Sequence, residues 1–173
     1  MTVIAYRDGT MVSDSAWSDD DGMVVTRRTK ITRLASGGLL GEAGDDDSRH
    51  VQTLFAHAKT PRTLPTRKQL AELQIDYEGV LVMPKGKVYH IGISHDEKKG
   101  WFGGLFEIAE GYHAVGAGAS HALTAMDCGR SAKDAVGLAV RRNIHCRLPI
   151  HVVPLRKPAK TAKPTKPKRR SRR

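Results

Sequence analysis

Apolar residues at the start of the chain occur in short runs that are broken by turn-forming residues. The segment VIAYR (3–7) is followed by Asp8-Gly9 and then by TMVSD (10–14). Because Asp-Gly readily adopts the positive φ that tight hairpin turns need, this pattern predicts two paired strands. Further strands are predicted for the segments VVTRR, KITRL and GGLLGEAG, which begin at Val24, Lys30 and Gly37.

Helical patterns begin only after these strands. The first predicted helix, 45–59, starts with Asp residues suited to capping and places Val51, Leu54 and Phe55 on one face. The later predicted elements are a helix at 67–74, a hairpin at 77–94, a strand at 112–118, helices at 120–129 and 131–143, and a strand at 148–155. Runs of strands followed by paired helices favour segregated layers. We therefore predict an α+β fold, a four-layer αββα sandwich of two antiparallel sheets flanked by helix pairs.

The basic residues of the chain are concentrated at its end. Lys and Arg outnumber Asp and Glu by 29 to 18 in the 173 residues. Residues 156–173 contain ten Lys or Arg and no acid, which leaves residues 1–155 with 19 basic and 18 acidic groups and a formal net charge of +1. We therefore divide the chain into a domain at 1–155 and a basic tail at 156–173. The tail contains three prolines and few apolar side chains, so it is predicted to be disordered.

A flexible cationic tail attracts polyanions such as DNA or RNA. Its contacts would be with phosphates, and binding would weaken as salt is added. The alternative is a tail that serves only solubility or localisation. The residues assigned to polyanion contact are Lys157, Lys160, Lys163, Lys166, Lys168, Arg169, Arg170, Arg172 and Arg173.

The sequence disfavours membrane insertion, secretion and metal binding. No apolar run approaches the roughly 20 residues that a bilayer-spanning helix needs, so we expect no membrane partner. The expected location is the cytoplasm, or the virion if the source is viral. Cys128 and Cys146 can form at most one disulfide, and in a reducing compartment both are expected as free thiols. The eight histidines lack the paired spacing of metal ligands, so no metal site is predicted.

Thr2 is a candidate nucleophile because of its position. A small side chain at position 2 normally allows Met1 to be removed, and the freed α-amino group can then accept the proton of the hydroxyl on the same residue. In the predicted hairpin, Thr2 lies across from residues 13–15, which places Asp14 near the chain terminus. Lys30 is expected beside Asp14, where its ammonium would lower the pKa of the Thr2 hydroxyl. The alternative is that Asp14 and Lys30 are solvated residues on surface strands.

These segments resemble the proteasome β-subunit family of N-terminal-nucleophile hydrolases, whose bacterial members include the Anbu group. The similar segments are MTVIAYRDGTMVSDSAW, RRTKITRL, GGLLGEAG, YHAVGAGASHA, SAKDAVGLAV and LPIHVV, the last two being most like Anbu. The family pattern has a processed amino-terminal Thr, an Asp at the end of the second strand and a Lys sixteen residues later, as Asp14 and Lys30 are here. The likeness covers about residues 2–155 and is most specific in 2–44 and 111–155.

The resemblance implies a threonine endopeptidase acting on a peptide or an unfolded protein substrate. Thr2 would be the nucleophile, Asp14 and Lys30 would tune it, and the N–H of Gly44 would stabilise the oxyanion. The resemblance further implies a homo-oligomeric ring or spiral with inward-facing sites, and neither a metal nor an organic cofactor. An ATPase unfoldase is a further candidate partner.

Some positions depart from the family pattern. The family often has Ser after the glycine of its second catalytic segment, where this chain has Ala117, with Ser120 three places later. Where the family has an assisting Asp and Ser near its last helix, this chain has Asn143 and Cys146. The alternative function is therefore that of a catalytically inactive structural protein, viral or nucleoid-associated, that has the same fold and binds nucleic acid through its basic tail.

Overall fold

A computed structural model of the protein describes residues 2–19, 22–25, 29–44 and 49–156. The predicted basic tail from position 157 onward lies outside the described residues, and so does Met1. The strands are β1 (Ile4–Arg7), β2 (Thr10–Ser13), β3 (Ala16–Asp19), β4 (Gly22–Val25), β5 (Ile31–Arg33), β6 (Leu39–Gly44), β7 (Tyr77–Val82), β8 (Val88–Asp96), β9 (Gly100–Ile108), β10 (His113–Val115) and β11 (His151–Pro154). The helices are α1 (Arg49–Phe55), α2 (Arg67–Ala71), α3 (Ala119–Asp127) and α4 (Ala132–Arg142), with a 3-10 turn at Pro61–Thr63.

The described strands form two antiparallel sheets and a separate hairpin. The first sheet has the order β10-β1-β2-β11, the second has the order β5-β6-β7-β8-β9, and β3 pairs with β4. Neighbouring strands in both sheets run antiparallel. The predicted α+β class with two antiparallel sheets is confirmed.

The turn between β1 and β2 fixes how the start of the chain is placed. Asp8 and Gly9 both have positive φ, 49° and 76°, as a tight hairpin turn requires. The ladder continues past β2, where the N–H of Asp14 donates to the carbonyl of Val3 over 3.1 Å. Asp14 is therefore held opposite Val3 and next to Thr2.

Three clusters of buried apolar residues hold the sheets and helices together. The first cluster joins the first sheet to α3 and α4, the second joins the second sheet to α1 and α2, and the third contains residues of both sheets. Fully buried members are Val12 and Ala135 in the first, Leu70 and Leu81 in the second, and Ile4 and Val80 in the third. Because successive side chains of a strand point to opposite faces, each sheet contributes to two clusters.

Two strands, β3 and β9, were missing from the sequence prediction. β9 pairs with β8 over its whole length, from Val88 opposite Ile108 to Asp96 opposite Gly100. Its sequence, GWFGGLFEI, contains three glycines and lacks a clean alternation of apolar and polar residues, so strand periodicity does not reveal it. β9 lies at the edge of the second sheet.

The first two helices are shorter than predicted. The expected helix at 45–59 is observed as α1, which ends at Phe55 in a turn where the N–H of Ala58 donates to the Phe55 carbonyl. Positions 45–48, to which the capping role was assigned, lie outside the described residues. The helix expected at 67–74 is α2, which begins after Thr66 with a capping box to Gln69.

The carboxy-terminal half agrees more closely with the prediction. The hairpin expected at 77–94 is the β7–β8 pair, which extends to Asp96. α4 and β11 lie within their predicted segments, and α3 begins one residue before its predicted segment, at Ala119. Cys128 is exposed and Cys146 is buried, and both are free thiols. Among the helices of the described ranges, none has the length and apolar character needed to span a bilayer.

Candidate active site

Asp14 lies at the centre of a buried polar cluster just after β2. Its side chain is fully buried, and each carboxylate oxygen accepts from the backbone. Oδ1 accepts the N–H of Val3 at 3.1 Å, whereas Oδ2 accepts the N–H of Ala16 at 3.0 Å and that of Arg147 at 3.0 Å. Backbone N–H groups from three segments therefore fix the orientation of the carboxylate.

The remaining contacts of this carboxylate bring Thr2 and Lys30 together. The hydroxyl of Thr2 donates to Asp14 Oδ1 at 2.9 Å, and Lys30 Nζ lies 2.9 Å from the same oxygen. Lys30 Nζ also donates to Thr2 Oγ. The Lys30 side chain is only 7% exposed and that of Asp14 is fully buried, so neither is the solvated surface residue of the alternative. Thr2 Oγ thus lies between a buried carboxylate and a buried ammonium.

Lys30 reaches the cluster from the other sheet. It immediately precedes β5, and its carbonyl accepts the N–H of Glu42 at 3.0 Å, which extends the pairing of β5 with β6. Burial lowers the pKa of Lys30, while the charge of Asp14 and its hydrogen bond act in the opposite direction. The carboxylate of Asp14 stabilises the Lys30 ammonium, which has little access to water.

Two glycines set the position of the Thr2 backbone. Gly116 has φ 87°, and a Cβ there would lie 2.5 Å from the Thr2 carbonyl oxygen. The N–H of Gly118 donates to that same oxygen at 3.1 Å. Neither backbone could approach Thr2 this closely if Gly116 carried a side chain. The segment that precedes α3 therefore holds the start of the chain against the first sheet.

Thr2 opens onto a cleft of about 390 Å³. The cleft is lined by Thr2, Ala43 and Gly44 of β6, residues 76–78 at the start of β7, residues 92–94 of β8, and Gly116 with Ala117. Gly44 has φ 133°, and a Cβ there would lie 2.6 Å from the Asp76 carbonyl oxygen. Only glycine fits at this strand end, so the backbone of Gly44 forms part of the cleft wall.

The three secondary residues of the sequence analysis lie around the cluster. Asn143 donates from its side chain to the carbonyl of Ala117 at 2.6 Å, so it anchors the segment that lines the cleft. Cys146 is buried behind Gly118, and burial raises the pKa of its thiol to about 11, with the charge of Asp14 acting in the same direction. Ser120 is exposed in the first turn of α3 and is not among the residues that line the cleft.

Several residues of this region were not singled out from the sequence. Asp76 and Glu78 line the cleft, and Glu78 Oε2 accepts the N–H of Gly116 at 2.9 Å. Glu78 could have been noticed in the sequence, because it is an acidic residue within the otherwise uncharged strand YEGVLV. Asp76 stands before this strand and resembles an ordinary loop residue. Across the described ranges, no three His, Cys, Asp or Glu side chains are grouped so that they could hold a metal ion.

Comparisons with known proteins find similarity in the fold. No family model and no curated protein matches the sequence. Among solved structures, "BPH" of Thiobacillus denitrificans has a TM-score of 0.56 at 16% identity, covering 90% of this chain and 98% of that one. The Gly-1 mutant of Anbu from Hyphomicrobium sp. strain MC1 has a TM-score of 0.57 at 14% identity, covering 88% of this chain and 80% of that one. The chain is therefore related at the level of fold to Anbu, of the proteasome-like N-terminal-nucleophile hydrolases.

Proposed function

We propose that this protein is a threonine-type peptidase whose nucleophile is Thr2, freed by cleavage of the Met1–Thr2 bond. The observation that carries the proposal is the position of the Thr2 hydroxyl, which contacts both Asp14 and Lys30 and opens onto the cleft. An amino-terminal hydroxyl with a buried ammonium beside it has the two features that make a weak nucleophile reactive, a nearby base and a lowered pKa.

In the proposed reaction, Thr2 Oγ attacks the carbonyl carbon of a peptide bond. The proton of the hydroxyl passes to the α-amino group of Thr2, and the N–H of Gly44 stabilises the oxyanion that forms. The amine of the cleaved bond leaves with that proton, which gives an ester between Thr2 and the substrate acyl group. Water then attacks the ester carbonyl and gives up a proton to the α-amino group. The bond between the acyl carbon and Oγ breaks, the acyl group leaves as a carboxylic acid, and the proton returns to Oγ to restore the hydroxyl. The ammonium of Lys30 favours the alkoxide character of Oγ in both steps.

The finer details of the fold form part of the same proposal. The three core clusters support a four-layer αββα arrangement over residues 1–155, in which each sheet packs on the other and on a helix pair. The resemblance of the sequence to the proteasome β-subunit family extends the proposal to a homo-oligomeric ring or spiral that acts on unfolded protein, with an ATPase unfoldase as partner. Such particles enclose their sites and thereby exclude folded proteins.

Intact-mass measurement of natively expressed protein tests the proposed function directly. The expected mass is that of the chain without Met1, and incubation with a peptide epoxyketone is expected to add one probe mass per chain. Peptide mapping should then locate the adduct on Thr2. A chain that keeps Met1 has no free amine on Thr2 and cannot react in this way, so a fully retained Met1 contradicts the proposal.

A second candidate function, binding of nucleic acid by the tail, depends on its charge alone. Ten basic residues without an acid occupy 156–173. Because no aromatic residue is present to stack on bases, the contacts would be with phosphates and indifferent to sequence. The inactive structural protein considered above would use only this function, whereas an active peptidase could use both.

Removal of residues 156–173 is expected to abolish or strongly weaken binding to DNA while the domain still folds. For the full chain, affinity should fall on the order of 10³-fold or more between 50 and 200 mM salt if six or more phosphates are contacted. Electrophoretic shift assays of both forms at these two salt concentrations measure the effect. Equal binding by the truncated form would place the polyanion site within residues 1–155.

A further inference from the structure

The two charged residues among the described residues that line the cleft are both acidic. They are Asp76, which directly precedes β7, and Glu78 within it. Tyr77 between them is paired with Gly44 in the β6–β7 ladder. Asp76 is therefore next to the strand end that forms the cleft wall, and its side chain is exposed to solvent.

Glu78 lies on the Thr2 side of the same cleft. Its Oε2 accepts the N–H of Gly116, whose backbone lies directly against the Thr2 carbonyl. This hydrogen bond fixes one oxygen of the carboxylate, while the side chain remains only half-buried. Asp76 and Glu78 thus contribute two acidic residues to the lining of the cleft onto which Thr2 opens.

These charges have no cationic partner among the described residues. The ion pairs found in the described ranges join Arg7 to Asp8, Lys30 to Asp14, Lys68 to Glu72, and Lys87 to Glu107. Lys30, which contacts Thr2 Oγ, is turned toward Asp14 and is not among the described residues that line the cleft. A positively charged group of a ligand would therefore supply the counter-charge that the described chain does not provide.

We infer that the cleft selects substrates with Lys or Arg as the residue whose carbonyl is attacked by Thr2. This inference rests on the proposed function. The side chain of that residue is carried by the Cα atom next to the attacked carbonyl carbon, so a substrate bound at Thr2 brings it to the cleft that Asp76 and Glu78 line. The guanidinium of Arg can donate to both carboxylates, whereas an acidic side chain would be repelled.

The test compares three peptides that differ only in this residue, which is Arg, Leu or Glu. For the wild-type chain, kcat/KM is expected to be highest for the Arg peptide and lowest for the Glu peptide. Asp76→Asn should lower the ratio of Arg to Leu about fivefold, as expected for a partly solvated charge pair. Asp76→Lys should reverse the order of the Arg and Glu peptides.

Two further variants separate charge from structure. Glu78→Gln keeps an oxygen that can accept the N–H of Gly116 but removes the negative charge, and it should lower the Arg to Leu ratio in the same direction. Glu97→Gln removes an exposed carboxylate of the β8–β9 turn, outside the cleft, and should leave all three kcat/KM values unchanged.

Adduct formation by the matching Arg, Leu and Glu epoxyketones distinguishes failure of this inference from failure of the proposed function. If Thr2 forms adducts but the wild-type chain does not prefer Arg, or if Asp76→Asn leaves the ratio unchanged, this inference is overturned and the proposed function stands. If no epoxyketone labels Thr2 and no peptide is cleaved, the proposed function fails and the inference fails with it.

Discussion

Replacement of Thr2 by Ala is expected to abolish peptide hydrolysis and covalent labelling by an epoxyketone. Removing the nucleophile of a hydrolase leaves only the contribution of binding and oxyanion stabilisation, so the expected loss in kcat is on the order of 10⁴-fold or more. Thr2→Ser keeps the hydroxyl and the amine and is expected to retain measurable turnover and labelling. Rates with a fluorogenic peptide and intact-mass spectra measure both effects.

The stability of the Thr2→Ala variant provides the control. Thr2 is 4% exposed, and its hydroxyl donates to Asp14 and accepts from Lys30, so the substitution removes two hydrogen bonds. Because Asp14 and Lys30 remain paired with each other, the expected cost is about 1–3 kcal/mol, which lowers the melting temperature without unfolding the protein. Equal labelling of the wild type and a folded Thr2→Ala variant would show that the nucleophile is a different residue.

Lys30→Ala is expected to lower kcat by about 10²-fold or more. The ammonium of Lys30 contacts Thr2 Oγ within a poorly solvated site, where a charge stabilises a developing alkoxide far better than it would in water. Lys30→Arg keeps a positive charge, but its planar guanidinium cannot reproduce a point contact to both Oγ and Asp14 Oδ1, so it should recover stability more than activity. Peptidase rates and melting temperatures of the three proteins are the measurements.

The Lys30 substitution also has a structural cost. Asp14 would lose its cationic partner but keep four other hydrogen-bond donors, so we expect a destabilisation of about 1–3 kcal/mol. Rates should therefore be compared at a temperature where both proteins are folded. Lys87→Ala, which removes an exposed partner of Glu107, is the matched control and should leave activity unchanged. Activity within threefold of wild type for folded Lys30→Ala would contradict the electrostatic role.

The first hairpin shows why part of the site could be predicted from sequence. A two-residue Asp8-Gly9 turn fixes the register of its strands, and the register alone puts Asp14 beside the start of the chain. No turn or strand register near Lys30 in the sequence places it beside Thr2. Lys30 belongs to the other sheet and reaches Thr2 only after the two sheets have packed together. The position of Lys30 at the start of its predicted strand suggests burial beside Asp14, and the spacing between the two residues strengthens that prediction, but strand patterns alone leave both residues open to a surface interpretation.

β9 and the cleft residue Asp76 were missed because both depend on contacts between distant parts of the sequence. β9 is stabilised by its pairing with β8 and by contact with α2, where a Cβ at Gly103 would lie 2.3 Å from Leu70. A glycine required by such a tertiary contact weakens the local strand signal. Asp76 faces the cleft only because β7 pairs with β6 so that Tyr77 meets Gly44. Short-range patterns cannot contain this information, since it depends on residues more than thirty positions apart.

The hydrogen bonds of Asp14 have a consequence for how relatives of this chain should be judged. The carboxylate joins the first strand, the residues after the second strand and the loop before β11, in addition to its contacts with Thr2 and Lys30. An acid at this position would therefore be retained by selection for folding even in a lineage that had lost catalysis. Its presence in a distant homologue is evidence of shared architecture, whereas the joint presence of Thr2 and Lys30 is the better marker of a working enzyme.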